Sequence, residues 1–430
     1  MKLKFLNHAS VLFDCGSVKI LTDPWYSGKV FNEGWSLVCD GKTDINELDF
    51  NFLWYSHEHP DHFRPEELKK IPSNKRGDIT ILFQKTADQK VAEYCKHLGF
   101  CVMELRDCDL VNIGGVQVQC GQSHGFDSWL RVTHEGKTAL NVNDCRVETK
   151  EDVLTVKEIV GDVDVLLTQF GWANWVGNKG DDKSRATARR MAFERTGNQI
   201  KYLKPNHIIP FASFCTFSHE ENVHCNEGQI TAREFVYSYP DETVVVLSPE
   251  EEWEVGDSHD TEGSLQKWEN LYSNSTTPLG KSEVVSLSVL NSAFEGMKEK
   301  LNKNNDMVKL RKFFTAPGEA ATLPPTTIRL SDYGSNTTVV FNIFDDKLKF
   351  LSHLNYDVSM SSNSLLFLMK FAWGRGTLTV NGRFQANYKT FNNFLKQTQL
   401  YYNNNVGKTY PTDVSEKDII GATSFVSEVL

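Results

Sequence analysis

The 430-residue chain lacks the features that mark several large classes of protein. It has no excess of positive charge: 46 Lys and Arg against 56 Asp and Glu give a net charge of −10, which argues against bulk electrostatic binding to nucleic acid or anionic membranes. No apolar run approaches the roughly 18 residues that a membrane-spanning helix needs. No internal repeat is present. We therefore expect no nucleic-acid partner and no membrane span.

The nine cysteines form no C-x-x-C pair, and their number is odd. Scattered thiols of this kind are typical of a reducing compartment, not of a disulfide framework. Residues 1–16 carry His8 and Asp14 within a short apolar stretch, which favours a first β-strand over a signal peptide. We predict a cytoplasmic protein. The N-x-S/T strings at Asn274 and Asn336 would matter only in another compartment.

What the chain does contain is a dense group of potential metal ligands in SHEHPDHF, residues 56–63, directly behind the apolar run Phe52 to Tyr55. An apolar run of this length predicts a buried strand, and Pro60 prevents the strand from continuing, so the ligands lie on a loop. Imidazole and carboxylate groups together suit zinc, iron or manganese. A solvated, His-rich surface loop is the ordinary alternative. The candidate ligands are His57, His59, Asp61 and His62.

This string resembles the metal-binding motif of the metallo-β-lactamase superfamily, whose αββα sandwich carries one or two metal ions at a sheet edge. The resemblance implies that His57 and His59 bind the first metal and that Asp61 and His62 bind the second. Asp61 would also orient or deprotonate the attacking water in a hydrolase, which makes it the main candidate catalytic residue.

Further residues follow predicted strands at the places where the superfamily has ligands. His124 comes just past strand 116–120, and the resemblance makes it a ligand of the first metal, although a lone His is more often structural or exposed. Asp144 follows strand 138–142 and would bridge the two ions, although alone it would more often cap a helix. Asp23, in LTDPW, and His8, in NHASVLFDCG, are expected to support the ligands from behind. A turn-forming role is the alternative for Asp23.

The pattern departs from the simple hydrolases after the strand of residues 207–211. Those enzymes have their last metal ligand, a His, two residues after a strand-end Pro, but this chain has Ala212 there. His219 could reach in from the following loop as a ligand or catalytic group, and His224 as a substrate-binding group. The second metal site is therefore predicted to be incomplete or unusual.

Two segments between the predicted strands could meet the substrate. Trp172 and Trp175 lie in a Gly- and Trp-rich loop, which suits a substrate wall but also an ordinary loop with buried Trp. Residues 183–197 predict a basic helix, which could meet an anionic substrate or form a solvated face. Its arginines are Arg185, Arg189, Arg190 and Arg195.

Several phrases resemble one branch of the superfamily, the catalytic module of the CMP-N-acetylneuraminate hydroxylases: NHASVLFDCG, DPW, YSHEHPDHF, NVNDC and IIPFASF. Ascorbate-phosphate lactonase-like and N-acylphosphatidylethanolamine phospholipase-like proteins are similar more distantly. The hydroxylases also carry a Rieske module, which needs C-x-H together with C-x-x-H, and that combination is not present. An oxygenase of this kind would need electrons from a separate protein.

The fold expected is α/β: an αββα metallo-β-lactamase sandwich over residues 1–258, a linker and helix over 259–310, and a smaller α+β accessory domain over 311–430. The accessory domain faintly resembles sterol-carrier-protein-like domains, which enclose an apolar tunnel. A plain accessory or dimerisation domain, with a homodimer formed through it, explains the same pattern.

Three functions are open at this point. The first is an oxygenase or hydroxylase with two divalent metal ions, iron favoured and zinc or manganese as alternatives, acting on a small anionic or amphiphilic molecule. The second is a zinc- or manganese-dependent hydrolase of a lactone, ester or phosphodiester. The third is a metal-stabilised binding module without catalysis, which a complete H-x-H-x-D-H motif makes the weakest.

Overall fold

The structure, a computed structural model, describes residues 1–123, 126–172, 174–275, 277–315, 323–334, 337–352 and 355–422. Its strands are β1 Lys2–Asn7, β2 Ser10–Cys15, β3 Val18–Thr22, β4 Trp35–Leu37, β5 Phe52–Tyr55, β6 Thr80–Gln84, β7 Cys101–Leu105, β8 Leu110–Ile113, β9 Val116–Gln122, β10 Ser128–His134, β11 Lys137–Asn143, β12 Val165–Gln169, β13 His207–Phe211, β14 Cys215–Phe217, β15 Glu252–Glu254, β16 Thr326–Leu330, β17 Thr337–Phe341, β18 Lys349–Ser352, β19 Val358–Met360 and β20 Phe384–Ala386.

The helices cover the sheets and connect their strands. They are α1 Pro65–Lys70, α2 Ser73–Arg76, α3 Lys90–His97, α4 Lys150–Val160, α5 Asp182–Leu203, α6 Ala232–Ser238, α7 Thr261–Ser273, α8 Leu287–Asn304, α9 Met307–Thr315, α10 Ser362–Lys370, α11 Gly374–Asn381, α12 Phe391–Asn405 and α13 Glu416–Ile420. Within the described ranges, no helix combines the length and the apolar character needed to cross a bilayer.

The first half of the chain folds into two facing sheets. One has seven strands in the order β15-β1-β2-β3-β5-β6-β7, and the other has six in the order β13-β12-β11-β10-β9-β8. Their inner faces share one core, to which Phe13 and Trp54 contribute from the first sheet and Leu130 and Leu167 from the second. These facing sheets are the two inner layers of the predicted sandwich.

Helices cover both outer faces. Strand β5 shows why: successive side chains of a strand point to opposite faces, so Trp54 enters the inner core while Leu53 and Tyr55 pack outwards against the α3 side. On the opposite outer face, Leu166 of β12 packs with Val153 of α4. Helices, two sheets and helices follow one another, which confirms the αββα architecture.

The C-terminal part has its own five-stranded sheet, in the order β18-β17-β16-β19-β20, with helices packed against it. The predicted linker region divides between the two cores. Trp268 of α7 stacks on Phe214 of the first core, with ring centroids 3.9 Å apart, whereas Phe294 of α8 belongs to the second core.

The two cores meet closely along the loop that follows β12. Trp175, with none of its surface exposed, stacks on Phe384 of β20 with ring centroids 4.6 Å apart. Arg383, 1% exposed, donates to Glu221 Oε2 at 2.6 Å and to the Asn32 carbonyl at 2.5 Å. The second domain is thereby fixed against loops of the first.

Candidate metal centre

The predicted ligand loop begins where β5 ends, and Ser56 is its anchor. Ser56 is fully buried, and its carbonyl accepts hydrogen bonds from Gln84 Nε2 at 2.9 Å and from Ser128 Oγ at 2.6 Å. Gln84 belongs to the first sheet and Ser128 to the second. The loop is therefore held by both sheets at their common edge.

Asp23 fixes the other side of Ser56. The carboxylate has no exposed surface; Oδ1 accepts from the Ser56 amide at 2.8 Å, and Oδ2 accepts from Ser56 Oγ at 2.7 Å and from Asn143 Nδ2 at 2.8 Å. Oδ2 also lies 3.1 Å from His62 Nδ1. An ionised carboxylate only accepts hydrogen bonds, so this contact favours the His62 proton on Nδ1 and leaves Nε2 as the candidate ligand atom.

The first pair of predicted ligands, His57 and His59, has its ring nitrogens close together. His57 Nε2 and His59 Nδ1 lie 2.9 Å apart, and His57 is 1% exposed. On its far side, His57 Nδ1 lies 2.9 Å from Ser56 Oγ and 3.5 Å from Asp127 Oδ1. Two imidazole nitrogens facing each other are the arrangement that a shared cation requires. The third predicted ligand of this pair, His124, lies outside the described residues.

A second group surrounds His62. Its Nε2 lies 3.4 Å from Asp61 Oδ2 and 3.4 Å from Asp144 Oδ2, while Asp144 Oδ1 accepts from Gln169 Nε2 at 3.0 Å. His8 Nε2 lies 3.5 Å from the same Asp61 oxygen. Two sets of side chains bring their ligand atoms within 4.8 Å of one another: His8, Asp61 and His62, and His57, His62 and Asp144.

The pKa shifts show how charges balance in this group without a metal ion. Burial, with the neighbouring imidazoles, lowers the pKa of His57 well below its usual range. Burial also opposes charge on His62, but Asp61 and Asp144 outweigh it and raise its pKa well above normal. For Asp61, burial is outweighed by His62 and His8, which lower its pKa. Opposite charges on His62 and Asp61 therefore stabilise each other in this buried group.

These residues fit a metal centre. His62 Nε2 and Asp61 Oδ1 are buried and have no hydrogen-bond partner among the described residues. Unpaired buried polar atoms are costly, and imidazole and carboxylate groups are ordinary ligands of divalent iron, zinc and manganese. Each cluster combines both group types.

Four residues at the centre have left-handed backbone conformations. They close strand ends, with φ of 40° at His8, 36° at Asp23, 47° at Asn143 and 49° at Ala212. A side chain other than glycine in this region costs about 1–3 kcal/mol. Such strain is common where a fold must aim side chains at a site.

A family model described as a β-lactamase superfamily domain matches residues 2–212. With the αββα layers and the ligands at the sheet edge, the match decides the assignment. Residues 2–212 belong to the β-lactamase superfamily.

The relatives and similar structures include hydroxylases and a hydrolase. The cytidine monophosphate-N-acetylneuraminic acid hydroxylases of Danio rerio and Xenopus laevis are each 25% identical, over 52% and 54% of this chain and 40% and 41% of theirs. The chain thus matches about two fifths of these relatives' length. CmlA, a diiron β-hydroxylase from Streptomyces venezuelae, is 16% identical over 59% of this chain and 53% of its own, with a TM-score of 0.44. Isothiocyanate hydrolase from Delia radicum gut bacteria is 17% identical over 59% of this chain and 99% of its own, with a TM-score of 0.44.

The β-lactamase superfamily domain brings together most, but not all, of the predicted site residues. His57, His59, Asp61, His62, Asp144, Asp23 and His8 form the centre described above. Trp172 lines a small void of about 10 Å³ shared with His8, Asp61 and Ala212. The ligand roles themselves stay predictions.

Three other predicted residues lie at the contact with the C-terminal part of the chain, away from the metal-ligand clusters, and their predicted site roles stay predictions. His219 Nε2 lies 3.2 Å from Ser282 Oγ, and its Nδ1 accepts from the Glu221 amide at 3.2 Å. His224 is buried beside Arg185, and its ring faces Gln385. The indole of Trp175 packs in the second hydrophobic core. His219 and His224 lie in the loop after β14 and Trp175 lies in the loop after β12, and none of the three belongs to the metal-ligand clusters.

The arginines of the basic helix do not share one role. Arg195 is half-buried and donates to the carbonyls of Gln169, at 3.1 Å, and Gly171, at 2.9 Å. Burial lowers the pKa of this guanidinium. Arg195 thus fixes the strand end that carries Gln169, and through it Asp144. Arg190, by contrast, is exposed and pairs with Glu194.

Sequence reasoning missed the supporting residues of the superfamily site. Ser56, Asn143, Gln169 and Asp127 each contact a ligand or Asp23. Asn143 had a signal, since Asn beside a strand-end Asp is a residue type that tolerates the left-handed conformation. The only C-x-H string in the sequence, Cys95 to His97, lies in α3 with Cys95 buried, and no C-x-x-H accompanies it.

Proposed function

We propose that the chain is a non-haem diiron hydroxylase that acts on a small anionic or amphiphilic molecule and receives its electrons from a separate reductase. The observation that carries this proposal is the similarity to hydroxylases over more than half of the chain. The mixed imidazole and carboxylate ligands support iron but suit zinc as well. The lack of a Rieske ligand set supports an external electron donor.

In this function the protein's own side chains hold the predicted metal ligands in a fixed orientation. When bound, two iron ions would supply the activation of O₂. Asp23 and Ser56 fix the rings of His62 and His57, while Gln169 fixes Asp144. Second-sphere bonds of this kind determine which nitrogen or oxygen faces a cation.

A cleft beside the ligand loop supports an amphiphilic substrate. It encloses about 870 Å³ between the first domain and helices of the second, and His59 lies on its wall. Seven of its 23 lining residues are Phe, Tyr or Trp, and three carry cationic side chains. The aromatic groups are Phe31, Phe63, Tyr94, Phe126, Phe367, Trp373 and Tyr402, and the cations are Lys29, Arg64 and Lys90.

The charges of the cleft support an anionic group on that substrate. Arg64 Nη1 donates to the Lys29 carbonyl at 3.2 Å, and Lys29 Nζ donates to the Pro278 carbonyl at 2.8 Å. Lys29 Nζ has only carbonyl partners among the described residues, whereas Arg64 Nε also lies 3.4 Å from Glu66 Oε2. Glu33 and Glu58 also line the cleft, so we expect the anion where Lys29 and Arg64 adjoin.

The test of the proposed chemistry is metal identity together with O₂ dependence. Protein isolated from iron-replete cells should contain two iron ions per chain by elemental analysis. A chemical reductant should reduce the centre under anaerobic conditions, and O₂ added afterwards should reoxidise it and be consumed. Protein that holds zinc alone and leaves O₂ consumption unchanged would contradict the proposal.

A metal-dependent hydrolase is the second candidate, favoured by the membership of residues 2–212 in the β-lactamase superfamily. Zinc-loaded protein should then hydrolyse bis-p-nitrophenyl phosphate or a simple lactone without O₂, and Asp61→Ala should abolish the activity. Turnover under anaerobic conditions separates the two candidates.

The cleft is tested with the anionic fluorophore 8-anilinonaphthalene-1-sulfonate, which has an aromatic body and one sulfonate. Trp373, 46% exposed, stacks on Phe371 with ring centroids 4.8 Å apart, so Trp373→Ala should weaken binding several-fold without unfolding the chain. Tyr237→Ala is the matched control, because Tyr237 is 68% exposed and does not line the cleft. Equal binding by both variants would exclude this cleft as the binding site.

A further inference from the structure

The backbone of His8 contacts the end of β13. Ala212 occupies that position, where related hydrolases have a histidine ligand. The amide of Ala212 donates to the His8 carbonyl at 2.9 Å. His8 follows β1 with φ of 40°, and its own amide donates to Asn7 Oδ1 at 3.1 Å. Asn7 is in turn held by the Cys39 carbonyl at 2.5 Å. The turn is thus fixed by neighbours on both sides.

The imidazole of His8 has no ordinary structural role. It is 2% exposed, yet neither Nδ1 nor Nε2 has a hydrogen-bond partner in the described part of the chain. A core histidine normally satisfies both nitrogens, because each unpaired buried polar group costs about 1–3 kcal/mol. The ring instead packs edge-on against Trp25, with centroids 5.4 Å apart.

The unpaired ring is directed at the second group of ligands. Nε2 lies 3.5 Å from Asp61 Oδ2, and the ring centroid lies 5.7 Å from that of His62. His8, Asp61 and His62 bring one ligand atom each within 4.8 Å of one another. The void of about 10 Å³ beside them is lined by His8, Asp61, Gln169 and Ala212.

We propose that His8 is a direct ligand of the second metal ion, completing a set with Asp61, His62 and the shared Asp144. The inference rests on the dinuclear centre of the proposed function but not on the metal being iron or on the reaction being a hydroxylation. It replaces the expectation that His8 supports the ligands from behind. It also explains how the centre manages without a histidine at position 212.

The test is the number of metal ions bound by the full chain. Metal-free protein is loaded separately with Zn²⁺ and, anaerobically, with Fe²⁺, dialysed, and measured by elemental analysis; competition with a chromophoric chelator gives the two affinities. Wild type should bind two equivalents. His8→Gly should bind one, with the second affinity lowered more than about 100-fold, beyond the loss typical of outer-sphere partners.

Glycine is the suitable replacement because its backbone adopts a positive φ without strain. Added imidazole should restore the second equivalent in His8→Gly by occupying the space of the missing ring. His207→Gly is the matched control: its ring contacts Trp253 on β15, with centroids 5.0 Å apart, and lies outside both ligand clusters. It should retain two equivalents.

His8→Gln tests whether any loss of metal binding comes from a folding defect. Gln keeps a polar side chain of similar length but is a poor metal ligand. It should also bind one equivalent, with an unchanged urea midpoint for the metal-free protein. Two equivalents at wild-type affinity in either His8 variant would overturn the proposal, as would failure of imidazole to restore binding in folded His8→Gly.

The outcomes distinguish this inference from the proposed function. Wild-type protein that binds two zinc ions, shows no O₂ chemistry and loses one ion in His8→Gly would reject the hydroxylase and support His8. Wild type that binds a single ion under all conditions would reject the second site and His8 with it.

Discussion

Asp23 offers the sharpest test of how the ligand loop is held, because two replacements should have different effects. Oδ2 of the buried carboxylate faces three donors, from Ser56, Asn143 and His62, whereas Oδ1 faces only the Ser56 amide. In Asp23→Asn, the amide oxygen should take the Oδ2 position, since that orientation keeps three contacts. One donor is then opposed by the new NH₂ group, which should cost about 1–3 kcal/mol.

Asp23→Ala removes all four acceptor contacts. Ser56 and Asn143 can still bond each other, because Asn143 Nδ2 already lies 2.8 Å from Ser56 Oγ. The Ser56 amide would lose its acceptor, and His62 Nδ1 would keep only Ser56 Oγ, 3.4 Å away, as an acceptor, so the free energy of unfolding should fall by about 1–3 kcal/mol or more. Because the His62 ring is no longer held, the affinity for the second metal ion should fall by about 10–100-fold in Asp23→Ala. Asp23→Asn should keep most of that affinity.

The assays are urea unfolding of the metal-free protein and competitive metal titration of both variants. Asp49→Ala is the control, since its carboxylate is 87% exposed and pairs only with Lys19. Surface substitutions usually change the free energy of unfolding by less than about 0.5 kcal/mol. If Asp23→Ala changed it by no more than that, the assigned contacts would be refuted. So would an Asp23→Asn variant that loses as much metal affinity as Asp23→Ala.

Three further predictions concern the scaffold. Arg383→Met should lower the free energy of unfolding by about 3 kcal/mol because it leaves Glu221 without its partner, and adding Glu221→Gln should recover part of the loss in urea unfolding. Gly121→Ala should cost about 1–3 kcal/mol, since a Cβ there would lie 2.0 Å from the Trp129 ring. Burial and then Arg185 lower the pKa of His224 from 6.5 to about 4, so the unfolded chain binds the extra proton in that range, and stability should fall as the pH drops below 6.5. His224→Gln should flatten this dependence in thermal melts.

Each of these has a control on the same chain. Arg190→Met removes an exposed arginine whose partner is one helical turn away, and should leave stability within about 0.5 kcal/mol of wild type. Gly77→Ala adds a methyl group that meets nothing within 4 Å. His134→Gln changes a histidine at a β-hairpin and should leave the pH dependence as in wild type.

The sequence was most informative where ligands follow a buried strand. A strand covered on both faces is apolar throughout, so the sequence shows that the strand FLWY ends before Ser56. The histidines and Asp61 that follow are best explained by a metal centre. The same logic located Asp23 and Asp144. The αββα layers followed from the resemblance of that loop and from alternating strands and helices.

The sequence was least informative where a role depends on distant contacts. His219 and His224 lie in a polar loop, and nothing local shows that this loop turns towards the second domain and Gln385. Asp127 and Gln169 are ordinary polar residues until the two sheets place them beside His57 and Asp144. His8 was recognised as near the centre, but its unpaired nitrogens appear only when its neighbours are known.

The four left-handed residues at the centre have a consequence for the order of folding. They belong to the ends of β1, β3, β11 and β13, so the chain between the first and the last runs from residue 8 to residue 212. Contacts between residues so distant along the chain form late, because closing long loops is entropically unfavourable. A metal ion therefore cannot nucleate this domain as it does a zinc finger; the two sheets must dock first. Metal uptake should be the last step of maturation.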